Sequence, residues 1–313
     1  MKRTGTFEQA AQEMMQTYYA EDFASALAIA EQASVDFPEK TEQTLIWRVC
    51  LLSRLKRTDE SLRLLAASLE EGFWWPKDFF ADEDLDTVRE LPEFQQLVET
   101  SHKRHMQEMG KSSPQRFVVE PVDGSAQPYP VLLTLHGRGH NGQDELDFWK
   151  EASQFGWLVV SMQSSQIHTM HGFSWDDPGK AEQEVLEHFD AICQEYEIER
   201  KRVVLGGYSQ GAGMAIQLSF HEKIAAAGFI GVGTWAPKVE PLAERASQNN
   251  KSIRGYFIIG EKDHALERAE EIRAVLTKAG LMLGEERYPD LGHEFPPDYK
   301  KSLQQALNFI VEE

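Results

Sequence analysis

The stretch VVLGGYSQGAGMAIQL, residues 203–218, reads as a buried strand, a tight turn and an apolar helix. The turn is Gly207-Tyr208-Ser209-Gln210-Gly211, a G-x-S-x-G pattern with its serine at the apex. Glycines two residues to either side fit a bend so sharp that a side chain there would strike the neighbouring strand or helix. Gly213, one turn on, lets the helix lie close to a sheet. The helix start also offers unpaired N–H groups and partial positive charge beside the serine. The pattern alone is common; between a strand and a helix it marks a nucleophile elbow.

Outward from this turn, apolar runs at 116–122, 130–135, 157–162, 202–206, 226–232 and 254–259 alternate with helical stretches near 179–196, 210–221, 264–279 and 298–311. Such alternation implies right-handed crossovers and a mostly parallel sheet covered on both faces, an α/β class. Functional groups of such sheets gather at the carboxyl ends of the strands.

A serine hydroxyl attacks only when a base takes its proton, and the base needs an orienting acid. On this kind of sheet the order along the chain is serine, acid, histidine. Three histidines follow Ser209. His293, in the loop DLGHEFPP after a short strand at 283–288, is the expected base. His264 adjoins the expected acid and reads as a rim residue; His221 closes the helix after Ser209, where a positive charge suits the dipole. The acid is expected at Asp263, just past the buried strand of YFIIGEKD, a position that also suits a helix N-cap. Asp290, three residues before His293, is its rival. Oxyanion donors are expected from the backbone N–H of Gln210 and, in the loop of PVLLTLHGRGHNGQD, that of Arg138, with His136 bracing the loop.

The motifs LHGRGHNGQD, GGYSQGAGMA, GVGTWAPK, GEKDHALE and LGHEF, in that order, resemble the phospholipase/carboxylesterase family of α/β-hydrolases, which includes the acyl-protein thioesterases. The resemblance covers the C-terminal two-thirds. It implies an α/β-hydrolase fold and hydrolysis of carboxylic ester or thioester bonds through an acyl-enzyme, without metal or cofactor. It departs at QSSQIHTMHGFSWDDP, where Trp175 and Asp177 match the family but His168, Met170, His171 and Phe173 do not. Met170, Phe173 and Trp175, with Trp235 of the later motif, are expected to wall the substrate pocket. Arg138 stands where an apolar residue is usual, either selecting an acidic substrate group or pointing to solvent.

Residues 1–101 differ in character. Phe7, Ala10, Ala11, Met14 and Tyr18 mark one helical stripe, and Phe23, Ala26, Leu27, Ala30 and Ala33 the next; further helices are expected at 41–55 and 59–70. Ala26, Ala33 and Pro38 are echoed by Ser61, Ser68 and Phe73, and DFASALAIAEQASVDFP resembles the second helix of a tetratricopeptide repeat. DEDLDTVRELPEFQQLVE reads as a closing helix with Pro92 at a helix start. The aromatics Phe73, Trp74, Trp75, Phe79 and Phe80 either fill this domain's own core or pack near the active site. The expected organisation is therefore an all-α domain over 1–101, a polar linker over 102–114 and the α/β-hydrolase domain over 115–313.

The net charge of −19 disfavours nucleic acid and anionic membranes. No run suits a membrane span and MKRTGTFEQA lacks the apolar core of a signal peptide, so a cytoplasmic protein with free Cys50 and Cys193 is expected. The sets His168/His171/Asp176/Asp177 and His136/His140 lack fixed metal-ligand spacing, so no metal is expected. An ester substrate is the expected partner, and the helical domain could take a protein or peptide. The competing readings are a serine peptidase of the same fold and an inactive interaction scaffold.

Overall fold

The apolar stripes of the first hundred residues wind into α1 (Phe7–Tyr19), α2 (Phe23–Asp36), α3 (Thr41–Arg54) and α4 (Thr58–Glu70), each packed on the next. Thr6 and Gln9 form a capping box at the start of α1, and Asp22 caps α2 by accepting from Ser25 N–H. Ala26, Ala30, Ala33, Ser61 and Ser68 are all buried, so helices meet where side chains are small. A short α5 (Asp86–Arg89) and a long α6 (Pro92–Met109) follow, the latter with Pro92 in its first turn. The computed structural model describes residues 5–122, 124–248 and 253–312, and the chain divides into two units between Lys111 and Ser112.

The polar stretch expected to link the domains from residue 102 is helical through Met109. Arg104 and His105 of this stretch, and Ser101 just before it, meet residues of the helical unit. Ser101, fully buried, accepts from Trp75 N–H (2.7 Å) and donates to Trp75 C=O (2.8 Å). Arg104 donates to the carbonyls of Leu69 and Phe73, near the carboxyl end of α4, and His105 stacks on Trp74 at 5.1 Å. Trp75 and Phe80 lie in this unit's own core with Leu45, Val49, Leu65, Leu85 and Phe94, and Phe73 and Phe79 pack against it. That burial accounts for most of the aromatic cluster.

The second unit runs β1 (Gln115–Val119), β2 (Tyr129–Leu135), α7 (Gly142–Trp149), β3 (Leu158–Gln163), β4 (Gln166–Ile167), β5 (Phe173–Ser174), α8 (Pro178–Glu195), β6 (Ile198–Tyr208), α9 (Gln210–Ser219), β7 (Gly228–Val232), α10 (Glu240–Gln248), β8 (Arg254–Gly260), α11 (Leu266–Lys278), β9 (Met282–Tyr288) and α12 (Tyr299–Val311). The sheet order is β1-β3-β2-β6-β7-β8-β9, parallel except for the edge strand β1. Side chains alternate between faces as strand geometry requires. Val131, Leu133, Leu135, Val203 and Leu205 meet Val185 and Phe189 of α8, whereas Leu132, Val204, Ile230 and Ile258 meet Trp149 of α7 and Leu303 and Leu307 of α12. The helices α7 and α10 and the β4–β5 hairpin were not anticipated from sequence.

From β2 the chain crosses to β3 on one side, and β6 later pairs on the other. The boundary between β2 and β6 is thus a topological switch point, where a crevice opens at the carboxyl ends of the strands. The loop after β2 and the turn carrying Ser209 both emerge there.

Replacing Ser101 by Ala leaves the Trp75 N–H and C=O buried without their partner. The expected loss is about 1–3 kcal/mol, read as a lower urea midpoint for the helical transition of the full chain. An unchanged midpoint would show that the middle of α6 is not tied to the helical unit through Ser101.

Candidate active site

Ser209 sits between β6 and α9 with φ 52° and ψ −119°, a left-handed conformation that L-residues avoid. Two close approaches enforce it. A Cβ on Gly207 would lie 2.4 Å from the backbone of Gly211, and one on Gly211 would lie 2.2 Å from the carbonyl oxygen of Leu135. The strand end, the helix start and the loop after β2 therefore touch backbone to backbone. Ser209 N–H donates to Val232 C=O at 2.9 Å, and its C=O accepts from Trp235 N–H at 3.1 Å, fastening the turn to the segment after β7.

His293 Nε2 lies 2.9 Å from Ser209 Oγ, and its Nδ1 lies 2.8 and 2.9 Å from the two oxygens of Asp263. The order is hydroxyl, imidazole, carboxylate. Burial raises the Asp263 carboxyl, but the hydrogen bonds from His293 and from Ala265 N–H outweigh it and hold the group below the usual carboxylate range. The rival acid, Asp290, is 91% exposed and bonds Lys262 at 2.6 Å. His264 is exposed on the rim, its ring 4.4 Å from that of His293. Among the described residues, Asp263, His264 and His293 are the one cluster of three possible metal ligands, rather than the sets weighed from sequence.

Two residues that sequence reasoning passed over support this row. Tyr208 donates its hydroxyl to His293 C=O at 2.5 Å, and its ring packs against those of His293 and Phe295. Glu145, on α7 and 2% exposed, accepts from Gly137 N–H at 2.7 Å and lies 3.0 Å from His140 Nδ1. Burial pushes the Glu145 carboxyl up against the pull of these bonds, and the bond with Glu145 raises His140. The available signal was an acid on the buried stripe Gly142, Glu145, Trp149, visible only once α7 is known to be a helix.

His136 is 1% exposed. Its Nε2 accepts from Ser164 N–H at 3.3 Å, so its Nδ1 carries the hydrogen and donates to Gly137 C=O at 2.8 Å. Burial pushes its pKa down to about 4, which keeps it neutral. It is a brace. Gln210 is the first residue of α9, so its N–H is one of the four that a helix start leaves without an intrahelical acceptor. Its side chain donates to Asp176 at 2.8 Å and accepts from Trp175 N–H at 2.9 Å.

The Arg138 guanidinium pairs with both oxygens of Asp176 at 3.2 Å while both side chains stay partly exposed. Asp177, the residue matched from sequence, instead caps α8 through Gly179 and Lys180 N–H. Trp175 and Trp235 line a cleft of about 420 Å³ beside Gln210, together with Met214, Pro237 and Leu242. Met170 and Phe173 do not line it. Phe173 bonds through its backbone with Gly139 and His140, bracing the loop after β2, and Met170 lies in the turn between β4 and β5. The unmatched segment folded as the β4–β5 hairpin, with the Phe173 ring 6.3 Å from that of His136.

A parallel sheet, a strained serine at a switch-point elbow and an aligned histidine and carboxylate define this chain as an α/β-hydrolase. Residues 179–312 match the phospholipase/carboxylesterase family, and residues 6–109 match the family described as the N-terminal domain of A/B hydrolase-like proteins. The chain is 24% identical over 219 residues to acyl-protein thioesterase 1 of Cryptococcus neoformans, covering 56% of this chain and 92% of that one. It is 24% identical over 222 residues to lysophospholipase-like protein 1 of mouse, covering 63% and 90%. Among solved structures it is similar to an uncharacterized protein of Bacillus cereus (TM-score 0.55, 24% identity, 98% of this chain and 99% of that one). It is also similar to esterase PE8 (TM-score 0.54, 17% identity, 64% and 99%). No helix among the described residues is long and apolar enough to cross a membrane.

A methyl group at Gly211 has nowhere to go, since the atoms it would strike are backbone. Gly211→Ala is expected to cost at least about 3 kcal/mol or to prevent folding, measured as soluble yield and melting temperature. A variant as stable as the parent would mean that the elbow is not pressed against the loop after β2.

Proposed function

We propose that this protein is a serine hydrolase that cleaves carboxylic ester or thioester bonds through an acyl-enzyme formed on Ser209. The observation that carries the reading is the continuous path from Ser209 Oγ to His293 Nε2 (2.9 Å) and from His293 Nδ1 to Asp263 (2.8 Å), starting at a serine held at φ 52°. The names of the relatives, a thioesterase and a lysophospholipase-like protein, agree with that bond class.

The steps follow from the positions of the groups. Ser209 Oγ attacks the acyl carbon while His293 Nε2 takes its proton, and Asp263 stabilises the imidazolium that forms. Charge gathers on the former carbonyl oxygen, within reach of the Gln210 and Arg138 amides. His293 then returns the proton to the departing alkoxide or thiolate. Water repeats the sequence on the acyl-enzyme, releasing the carboxylic acid and restoring Ser209. The cleft walled by Trp175, Trp235, Met214 and Leu242 is the apolar site for the substrate's hydrocarbon portion; its 420 Å³ is at the small end of ligand pockets.

Ser209→Ala and His293→Ala are expected to lower kcat on p-nitrophenyl esters by about 10³-fold or more while the fold survives. Asp263→Asn should lose less, and Asp290→Asn nothing measurable. Near-native turnover by Ser209→Ala would end the proposal.

Asp263, held below the usual carboxylate range, is ionised at neutral pH, the form that stabilises an imidazolium beside it.

A further inference from the structure

Gly137 is one peptide away from an amide that the proposed mechanism needs, and it is held at both ends. Its C=O accepts from the buried, neutral His136, and its N–H donates to the buried Glu145 at 2.7 Å. The Gly137 C=O and the Arg138 N–H belong to the same planar trans peptide, so they point in opposite directions. The bond from His136 to Gly137 C=O therefore aims the Arg138 N–H, and the bond from Gly137 N–H to Glu145 fixes the peptide just before it. The far side of the loop is fixed separately, by Gly139 N–H to Phe173 C=O (2.8 Å) and Phe173 N–H to His140 C=O (2.7 Å). The loop lies against the elbow itself, since Leu135 and His136 carbonyls crowd Gly211.

Glu145 is an unusual residue to find there. It lies on the buried side of α7, where its second oxygen, Oε2, makes no well-formed hydrogen bond and the Trp149 indole is a neighbour that draws the carboxyl down against its burial. A buried carboxylate costs stability that an apolar residue of the same shape would not. Its bonds run to the loop after β2, to Gly137 N–H and His140.

We infer that Glu145 is a positioning residue for the oxyanion donor: its carboxylate anchors the peptide before Gly137, and with His136 holding Gly137 C=O the two bonds together fix the glycine and so the Arg138 amide. The inference rests on the serine-hydrolase reading and adds a residue to it. Glu145 touches neither substrate nor Ser209 and acts through the loop. What matters is an acceptor at the right reach, rather than a negative charge.

Three variants of the full chain test this. Glu145→Gln keeps an oxygen for Gly137 N–H and should hold kcat within about fivefold of the parent. Glu145→Leu removes the acceptor and should lower kcat roughly 10–100-fold with KM within about threefold, somewhat less than deletion of an oxyanion donor. Glu145→Asp, one methylene too short to reach, should behave as Leu does, and it serves where the Leu variant does not fold. The readout that a merely structural role would not move is affinity for a boronic acid, whose tetrahedral adduct with the serine uses the oxyanion donors. That affinity should weaken by the same factor as kcat/KM across the series. Equal loss in Gln and Leu variants, a raised KM with kcat unchanged, or boronate binding that ignores the series would overturn the inference. Fluorophosphonate labelling of the parent at Ser209 separates the two ideas. A labelled parent with indifferent variants removes only the role of Glu145, whereas an unlabelled parent removes both.

Discussion

The backbone contact among Gly207, Gly211 and the carbonyls of Leu135 and His136 is the constraint on which the site depends. It brings the end of β6, the start of α9 and the loop after β2 closer than side chains allow. That closeness forces Ser209 into its left-handed conformation, strain of a kind that a surrounding structure must over-determine. Here it is over-determined by the parallel sheet, whose register sets Leu135 beside Gly207 and Tyr208 beside Val232. The hydroxyl is presented at the crevice because the backbone has no other course.

The remaining groups are held from behind rather than built into the elbow. His293 comes from a loop, and loops are mobile by default. Its carbonyl is pinned by the Tyr208 hydroxyl, its ring by Asp263, and the Tyr208 ring by Phe295, which stacks on Phe148 at 4.0 Å. Tyr208 is also the residue before Ser209. One side chain thus couples the strand that leads to the serine to the loop that carries His293. On the opposite side, Arg138, Asp176 and Gln210 tie the loop after β2 to the start of α9. A cation that the sequence leaves between substrate recognition and solvent has its partner in this link.

Several buried polar groups around the loop after β2 act alike, each satisfying a backbone group. His136 serves Gly137 C=O, Ser161 serves Gly142 C=O at 2.7 Å, and the Trp175 indole N–H serves His136 C=O at 2.8 Å. A loop that turns through the interior cannot leave such groups unpaired without losing about 1–3 kcal/mol apiece.

The sequence by itself determined the parallel α/β sheet, the elbow, and the choice of Ser209, Asp263 and His293 for the row of side chains. Those features have local causes: period-two and period-3.6 apolar patterns, glycines flanking a serine, and an acid and a histidine just past strand ends. Only tertiary structure decided that Arg138 is paired, that Asp176 rather than Asp177 faces it, that Met170 and Phe173 leave the cleft, and that residues 102–109 are helix. It alone drew Glu145 and Tyr208 into the site. In each case the deciding partner lies far away in the chain, as Arg138 from Asp176, Trp75 from Ser101 and Tyr208 from His293, and no local pattern records which distant group a polar side chain will meet. Polar composition at 102–109 reads as linker because an arginine fastened to a neighbour's carbonyls, as Arg104 is, looks in sequence like one facing water.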